Sequence, residues 1–151
     1  MSTIVVGVDH SAGAKEGLRF ALEEARLRGA TLRAVHGWQY PYIGWTGIGA
    51  GLPPIGDEVQ LHEFRDAAEA ALDSTLQEAI PDTAGVEVER RVVEGAPAAV
   101  LVEESGDADL LVVGSRGLGG FAQLLLGSVS QQCAHHAKCP VVIVRPRADK
   151  E

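Results

Sequence analysis

Between Gly114 and Ser130 the chain reads GSRGLGGFAQLLLGSVS, and here its residue types come closest to chemistry. Glycines at Gly114, Gly117, Gly119, Gly120 and Gly127 leave backbone N–H groups open to close approach, and glycine tolerates the positive φ that such a loop needs. Gly127-Ser128 stands where a helix is expected to begin. The first amides of that helix have no partner inside it, its dipole places partial positive charge at the same end, and Ser128 is the expected cap. Arg116 is the one basic residue from Gly114 to Ser128. Open amides, a helix start and one guanidinium make a cradle for an anion, and phosphate is the anion it suits.

The loop lacks the G-x-x-x-x-G-K-[ST] pattern of a P-loop, and its glycines do not fall in the G-x-G-x-x-G register of a dinucleotide fold. Fast phosphoryl transfer asks for several cations or paired carboxylates beside the loop. Arg116 stands alone there, so no catalytic residue is assigned. Cys133, His135, His136 and Cys139 fall within seven residues, yet the spacing matches no usual zinc pattern. On a helix His135 and His136 point about 100 degrees apart, and no metal site is assigned to these four.

The elements that must position the loop read as alternating strands and helices. Thr3 to Val8 is a β-branched run suited to a strand buried on both faces, ending at Asp9. Ser11 is placed to cap a helix over Ala12 to Arg28, with Gly29 as its stop. Thr31 to His36 reads as the second strand. Asp57 opens a helix to about Ala79, whose apolar stripe includes Phe64, Ala68, Leu72 and Leu76. Val86 to Val93 alternates apolar with charged residues, as an edge strand does. Pro97 suits the first turn of a third helix, which fades near Gly106. Leu110 to Val113 is the fourth strand, a helix starts near Ser128, and Val141 to Val144 is the fifth strand. The order βαβαβαβαβ predicts an α/β fold: an open parallel five-stranded sheet with helices on both faces, in one domain spanning 1–151. Ligands of such sheets lie beyond the carboxyl ends of the strands, where the strand order reverses. Asp9, Gly37 and Gly114 are all expected at such ends.

The formal net charge of -8 argues against nucleic acid and anionic lipid as partners. No run approaches the roughly 20 apolar residues of a membrane span, and the N-terminus shows no basic-then-apolar leader, so the expected location is cytoplasmic.

The glycine loop has the form G-x2-G-x9-G-S at Gly114, Gly117, Gly127 and Ser128, which resembles the nucleotide-binding signature of the universal stress protein family. The resemblance covers nearly the whole chain: GVDHS after the first strand, AVHGW around the second strand's end, EGAPA before a helix, and AKCPVVIV at the last strand. It implies a Rossmann-like, adenine nucleotide α-hydrolase-like fold and a site for ATP with Mg²⁺. That site is implied at Val8, Asp9, Gly37, Gly114, Arg116, Gly117, Gly127, Ser128, Val129 and Ser130. Asp9 there would meet the ribose or a phosphate-bound Mg²⁺, or would serve only the helix that follows it. Gly37 would lie by the adenine, and His36 would be a packed strand residue. The resemblance further implies a regulatory, stress-response module with an unnamed protein partner, the alternative being a slow ATPase or another adenine-nucleotide enzyme of the same fold. It also implies a homodimer through Val141 to Val144.

From Gly37 to Gly56 the composition turns to Gly, Pro, Trp and Tyr, a connection longer than an ordinary loop. Trp38, Tyr40, Tyr42 and Trp45 either pack on the body of the protein or cover the ligand.

Overall fold

The structure, a computed structural model, describes residues 2–9, 11–39, 58–115 and 126–146. Nine elements follow in order: β1 (Thr3–Gly7), α1 (Ala12–Arg28), β2 (Thr31–Trp38), α2 (Glu58–Ala79), β3 (Val88–Glu94), α3 (Pro97–Glu104), β4 (Leu110–Gly114), α4 (Ser128–His136) and β5 (Val141–Val144). The strands form one sheet in the order β3-β2-β1-β4-β5. Every neighbouring pair is parallel.

The β-branched run of β1 becomes the centre of the sheet because both its faces are covered. Ile4 and Val6 point into a core built with Leu18, Ala21 and Ala25 of α1 and Leu72 and Ala79 of α2. Val5 points into a second core with Val100 and Leu101 of α3 and Cys133 of α4. Ile4, Val5 and Val6 are fully buried. Burying such a side chain stabilises the fold by about 1.5–3 kcal/mol each, so the middle of the sheet is also its strongest part.

Helix α1 begins and ends where its sequence says it should. Ser11 accepts a hydrogen bond from the Ala14 N–H, and Gly29 closes the helix in the left-handed region at φ 64. The second strand departs from expectation by running two residues past His36. His36, Gly37 and Trp38 pair with Val92, Val93 and Glu94 of β3. Gly37 does not break the strand; it makes room for α3, since a Cβ there would lie 3.0 Å from the Pro97 Cα. Arg33, the one charge inside β2, is explained by its partners. Its guanidinium pairs with Glu89 at 2.9 Å and donates to the Glu104 carbonyl at 3.0 Å, at the C-terminal end of α3.

The start of β3 moves as well. The Val86 N–H bonds to the Thr83 carbonyl in a turn, so β3 begins at Val88. In α2 the buried positions are Ala68, Leu72, Thr75 and Ala79, while Phe64 is 39% exposed and stands outside the core. Asp57, the expected start of α2, lies outside the described residues, as do residues 40–56.

The chain runs from β1 outward through β2 to β3, then returns to the opposite side of β1 for β4 and β5. The direction therefore reverses between β1 and β4, and the crevice beyond their carboxyl ends is the place for a ligand.

Candidate functional site

Two consecutive residues at the end of β4 set the walls of this crevice. Gly114 admits the start of α1: a Cβ at Gly114 would lie 3.0 Å from the Gly13 carbonyl carbon and 3.1 Å from its oxygen. Ser115 holds the start of α4. Its carbonyl accepts the Gly127 N–H at 2.6 Å, and the Ser130 hydroxyl lies 3.0 Å from the same oxygen. One residue of β4 thus serves the helix on one face of the sheet, and the next serves the helix on the other.

The β1 side is finished by backbone and side chain together. The Val8 N–H donates to the Val35 carbonyl at 2.9 Å, and the Val8 carbonyl lies 2.8 Å from His36 Nδ1. A carbonyl can only accept, so the Nδ1 of His36 carries the proton. Both polar backbone groups of Val8 are engaged, and Val8 is buried in the core with Ile4 and Val6. Asp9 Oδ1 accepts from the Ser11 N–H at 2.8 Å and from the Ser11 hydroxyl at 2.5 Å. The Ser11 oxygen in turn accepts from Ala14 N–H at 3.1 Å. Asp9 therefore orders the cap of α1 through one oxygen, and its Oδ2 forms no hydrogen bond among the described residues.

Helix α4 starts differently. Its N-cap is Gly127, one residue before the expected Ser128, and no side chain caps it. Ser128 is the first helical residue because Gly127, not Ser128, takes the extended backbone of a cap, at φ -78 and ψ 173. The Gln131 N–H bonds the Gly127 carbonyl and closes the first turn. The amides of Ser128, Val129 and Ser130 precede any intrahelical partner. No acidic residue lies in that turn, so no side chain of the turn itself neutralises the positive end of the helix dipole.

Of the expected site residues, Val8, Asp9, Gly114, Gly127, Ser128, Val129 and Ser130 come together at the β1–β4 switch point. Gly37 is the penultimate residue of β2, at the carboxyl end of the neighbouring strand and under the start of α3. Arg116 and Gly117 lie outside the described residues, as do Tyr40, Tyr42 and Trp45. Ser115 was not singled out by its sequence, because it acts through a backbone carbonyl that any residue type would carry. His36 gave a partial signal as a polar residue at a strand end. Cys133 is buried while His135 and His136 are exposed, and the two imidazole rings are 6.2 Å apart and tilted. Burial raises the Cys133 thiol to about 11, with a smaller contribution from Cys139. Burial also raises the Cys139 thiol. Among the described residues no group of three or more His, Cys, Asp or Glu could hold a metal ion, and no helix is long and apolar enough to cross a membrane.

A five-stranded parallel sheet with helices on both faces and an open helix start at its switch point defines a Rossmann-like α/β protein. The chain belongs to the universal stress protein family, whose profile matches residues 1–145. A universal stress protein of Mycolicibacterium smegmatis is 40% identical over 148 residues, covering 95% of this chain and 46% of that protein. The chain spans about half the length of such relatives. A universal stress protein solved in complex with cAMP is 28% identical, with a TM-score of 0.60 and coverage of 97% of this chain and 98% of the other. A universal stress protein from Archaeoglobus fulgidus in complex with dAMP is 26% identical, with a TM-score of 0.56 over 95% of this chain and 98% of its own.

Proposed function

We propose that this protein binds an adenine nucleotide, ATP with Mg²⁺ before others, in the β1–β4 crevice and acts as a nucleotide-dependent regulatory module. The observation that carries this reading is the uncapped first turn of α4 seated on the Ser115 carbonyl. Three unpartnered amides at the positive end of a helix suit a phosphate chain better than a neutral ligand. The two relatives in complex with cAMP and dAMP support adenine as the base. Asp9 Oδ2 is free among the described residues to meet a ribose hydroxyl or a phosphate-bound Mg²⁺, which as a hard cation takes oxygen ligands. The cation would offset phosphate charge; the chain itself would bind and orient through Gly114, Arg116, Gly117 and Gly127 to Ser130, with Val8 and Gly37 on the base side.

The dimer belongs to the same proposal. Strand β5 lies at the margin of the sheet, and its four residues are half-buried. An apolar margin of this kind is normally paired or blunted. Two copies can pair their β5 strands about a two-fold axis, with Pro146 ending the ladder. Light scattering at micromolar concentration should give twice the chain mass; a mass near 15.9 kDa rejects the dimer.

Native mass spectrometry of the purified protein and calorimetry on nucleotide-free protein test the ligand. ATP should bind, and Gly117→Leu or Gly127→Leu should abolish binding with the circular dichroism spectrum retained. No heat with ATP, ADP or AMP at millimolar concentration rejects the reading.

A further inference from the structure

The Ser130 side chain is 1% exposed, so a ligand in the crevice cannot reach its hydroxyl from solvent. The hydroxyl lies 3.0 Å from the Ser115 carbonyl and 3.0 Å from the Gly127 carbonyl. It has one proton and donates to one of them at a time. Bonding to the carbonyl three residues earlier is a common habit of helical serine. The contact with Ser115, fifteen residues away in sequence, is not required by any helix. Ser115 is itself fixed, because its N–H donates to the Val144 carbonyl of β5 at 2.9 Å. When the Ser130 hydroxyl donates to Ser115, the first turn of α4 hangs from a rigid strand end by two bonds to one oxygen, the other being that of the Gly127 N–H.

We propose that Ser130 is a positioning residue for the phosphates of the ligand: its buried hydroxyl fixes where the amides of Ser128 and Val129 point, without contacting the ligand. The proposal rests on the nucleotide reading above and changes one part of it, since the contribution of the Ser130 side chain passes through the helix start. The geometry of an anion site made of backbone amides is only as good as the anchor of that backbone. A buried neutral hydrogen bond contributes about 0.5–1.5 kcal/mol net, so its loss weakens the anchor without unfolding the sheet.

Amide hydrogen exchange by NMR, read together with ATP affinity by calorimetry, tests this on the full chain. In Ser130→Ala the hydrogen-bonded amides of the turn, Gly127 on the Ser115 carbonyl and Gln131 on the Gly127 carbonyl, should exchange on the order of tenfold faster, while those of β1 and α1 stay unchanged. The ATP dissociation constant should rise on the order of tenfold, and Ser130→Thr, whose hydroxyl can still bond a preceding carbonyl, should restore both. Unchanged exchange at Gly127 and Gln131 overturns the proposal. So does faster exchange with ATP affinity untouched, and so does a uniform rise across α1, β1 and α4, which marks a merely structural serine. If the wild-type protein binds no nucleotide, the functional reading has failed, and the exchange measurement alone decides whether Ser130 is the anchor.

Discussion

Helices α1 and α4 begin at the ends of adjacent strands, β1 and β4, and they are finished in opposite ways. At α1 the chain closes its own helix: Asp9 orders Ser11, and Ser11 caps Ala14. Six residues of α1 are buried, from Gly13 to Ala25. At α4 a glycine holds the cap position without a side chain, and only Ser130 and Cys133 are buried in the helix. Sealing a helix start contributes stability, whereas leaving it open keeps amides for something else. The comparison separates the helix that holds the sheet together from the helix whose first turn is left open. The two starts lie on opposite faces of the sheet and are linked only through consecutive residues, Gly114 against Gly13 and Ser115 bonded to Gly127.

The sharpest way to break the comparison is to force the two starts apart. Gly114→Val places a side chain against the Gly13 backbone, which is the rigid first turn of α1 and not a flexible side-chain tip. Overpacking of this kind costs typically 1–3 kcal/mol, and the upper end is expected because backbone must move. Gly17→Ala is the matched control. Its added carbon meets only ordinary contacts of 3.8 Å and longer, and glycine inside a helix is less favourable than alanine by about 0.5–1 kcal/mol. Urea denaturation should therefore show a large loss for the first and no loss for the second. Equal effects would mean that the contact between Gly114 and Gly13 does not set the wall of the crevice.

A second test uses the thiol of Cys133, the other buried residue of α4 besides Ser130. The Cys133 thiol is raised from the ordinary 9.0 to about 11 by burial. The unfolded chain loses this proton near 9 while the folded chain keeps it. The stabilisation is thus fully present below pH 9 and is lost as pH rises towards 11. Compared with Cys133→Ala in urea melts, the wild-type advantage should shrink by roughly 1–3 kcal/mol across that window. A difference independent of pH would mean that α4 lets water reach Cys133 and is looser than its packing implies.

Much of this was legible in the sequence. The β-branched runs of β1 and β4 could be buried on both faces only at the centre of a sheet, and the alternation in β3 marked it for the margin. Ser11 and Gly29 bounded α1 because a cap and a left-handed stop are properties of single residues. What was not legible depends on neighbours distant in the chain. Gly37 looked like the end of β2, but its role is to admit Pro97, a residue 60 positions later. Ser128 looked like a cap because serine caps helices, yet Gly127 takes the position because its N–H is held by Ser115. Phe64 fitted the stripe of α2 by spacing, yet it stays 39% exposed while Ala68 and Leu72 are buried. The signature residues were visible, and the anchors behind them were not, since Ser115 acts through a carbonyl and His36 through a bond to the backbone of Val8.

The smallest expected effect is also the most direct reading of the two helix starts. Ser11→Ala removes the oxygen that accepts the Ala14 N–H and the group that Asp9 holds. Loss of an N-cap costs typically about 1 kcal/mol, and Asp9 is then left with one donor fewer. Ser128→Ala changes the same residue type at the equivalent end of α4, but Ser128 is exposed, is already helical and caps nothing. Its stability should stay within about 0.5 kcal/mol of wild type, as for surface substitutions generally. ATP affinity should respond in the reverse order. Ser128 stands in the open turn and Ser11 belongs to a cap that is already closed, so Ser128→Ala should weaken binding more than Ser11→Ala does. Thermal melts and calorimetry on the two variants give all four numbers. If Ser128→Ala destabilises the fold as much as Ser11→Ala, the start of α4 is capped by that serine after all, and the distinction between a sealed helix and an open one disappears.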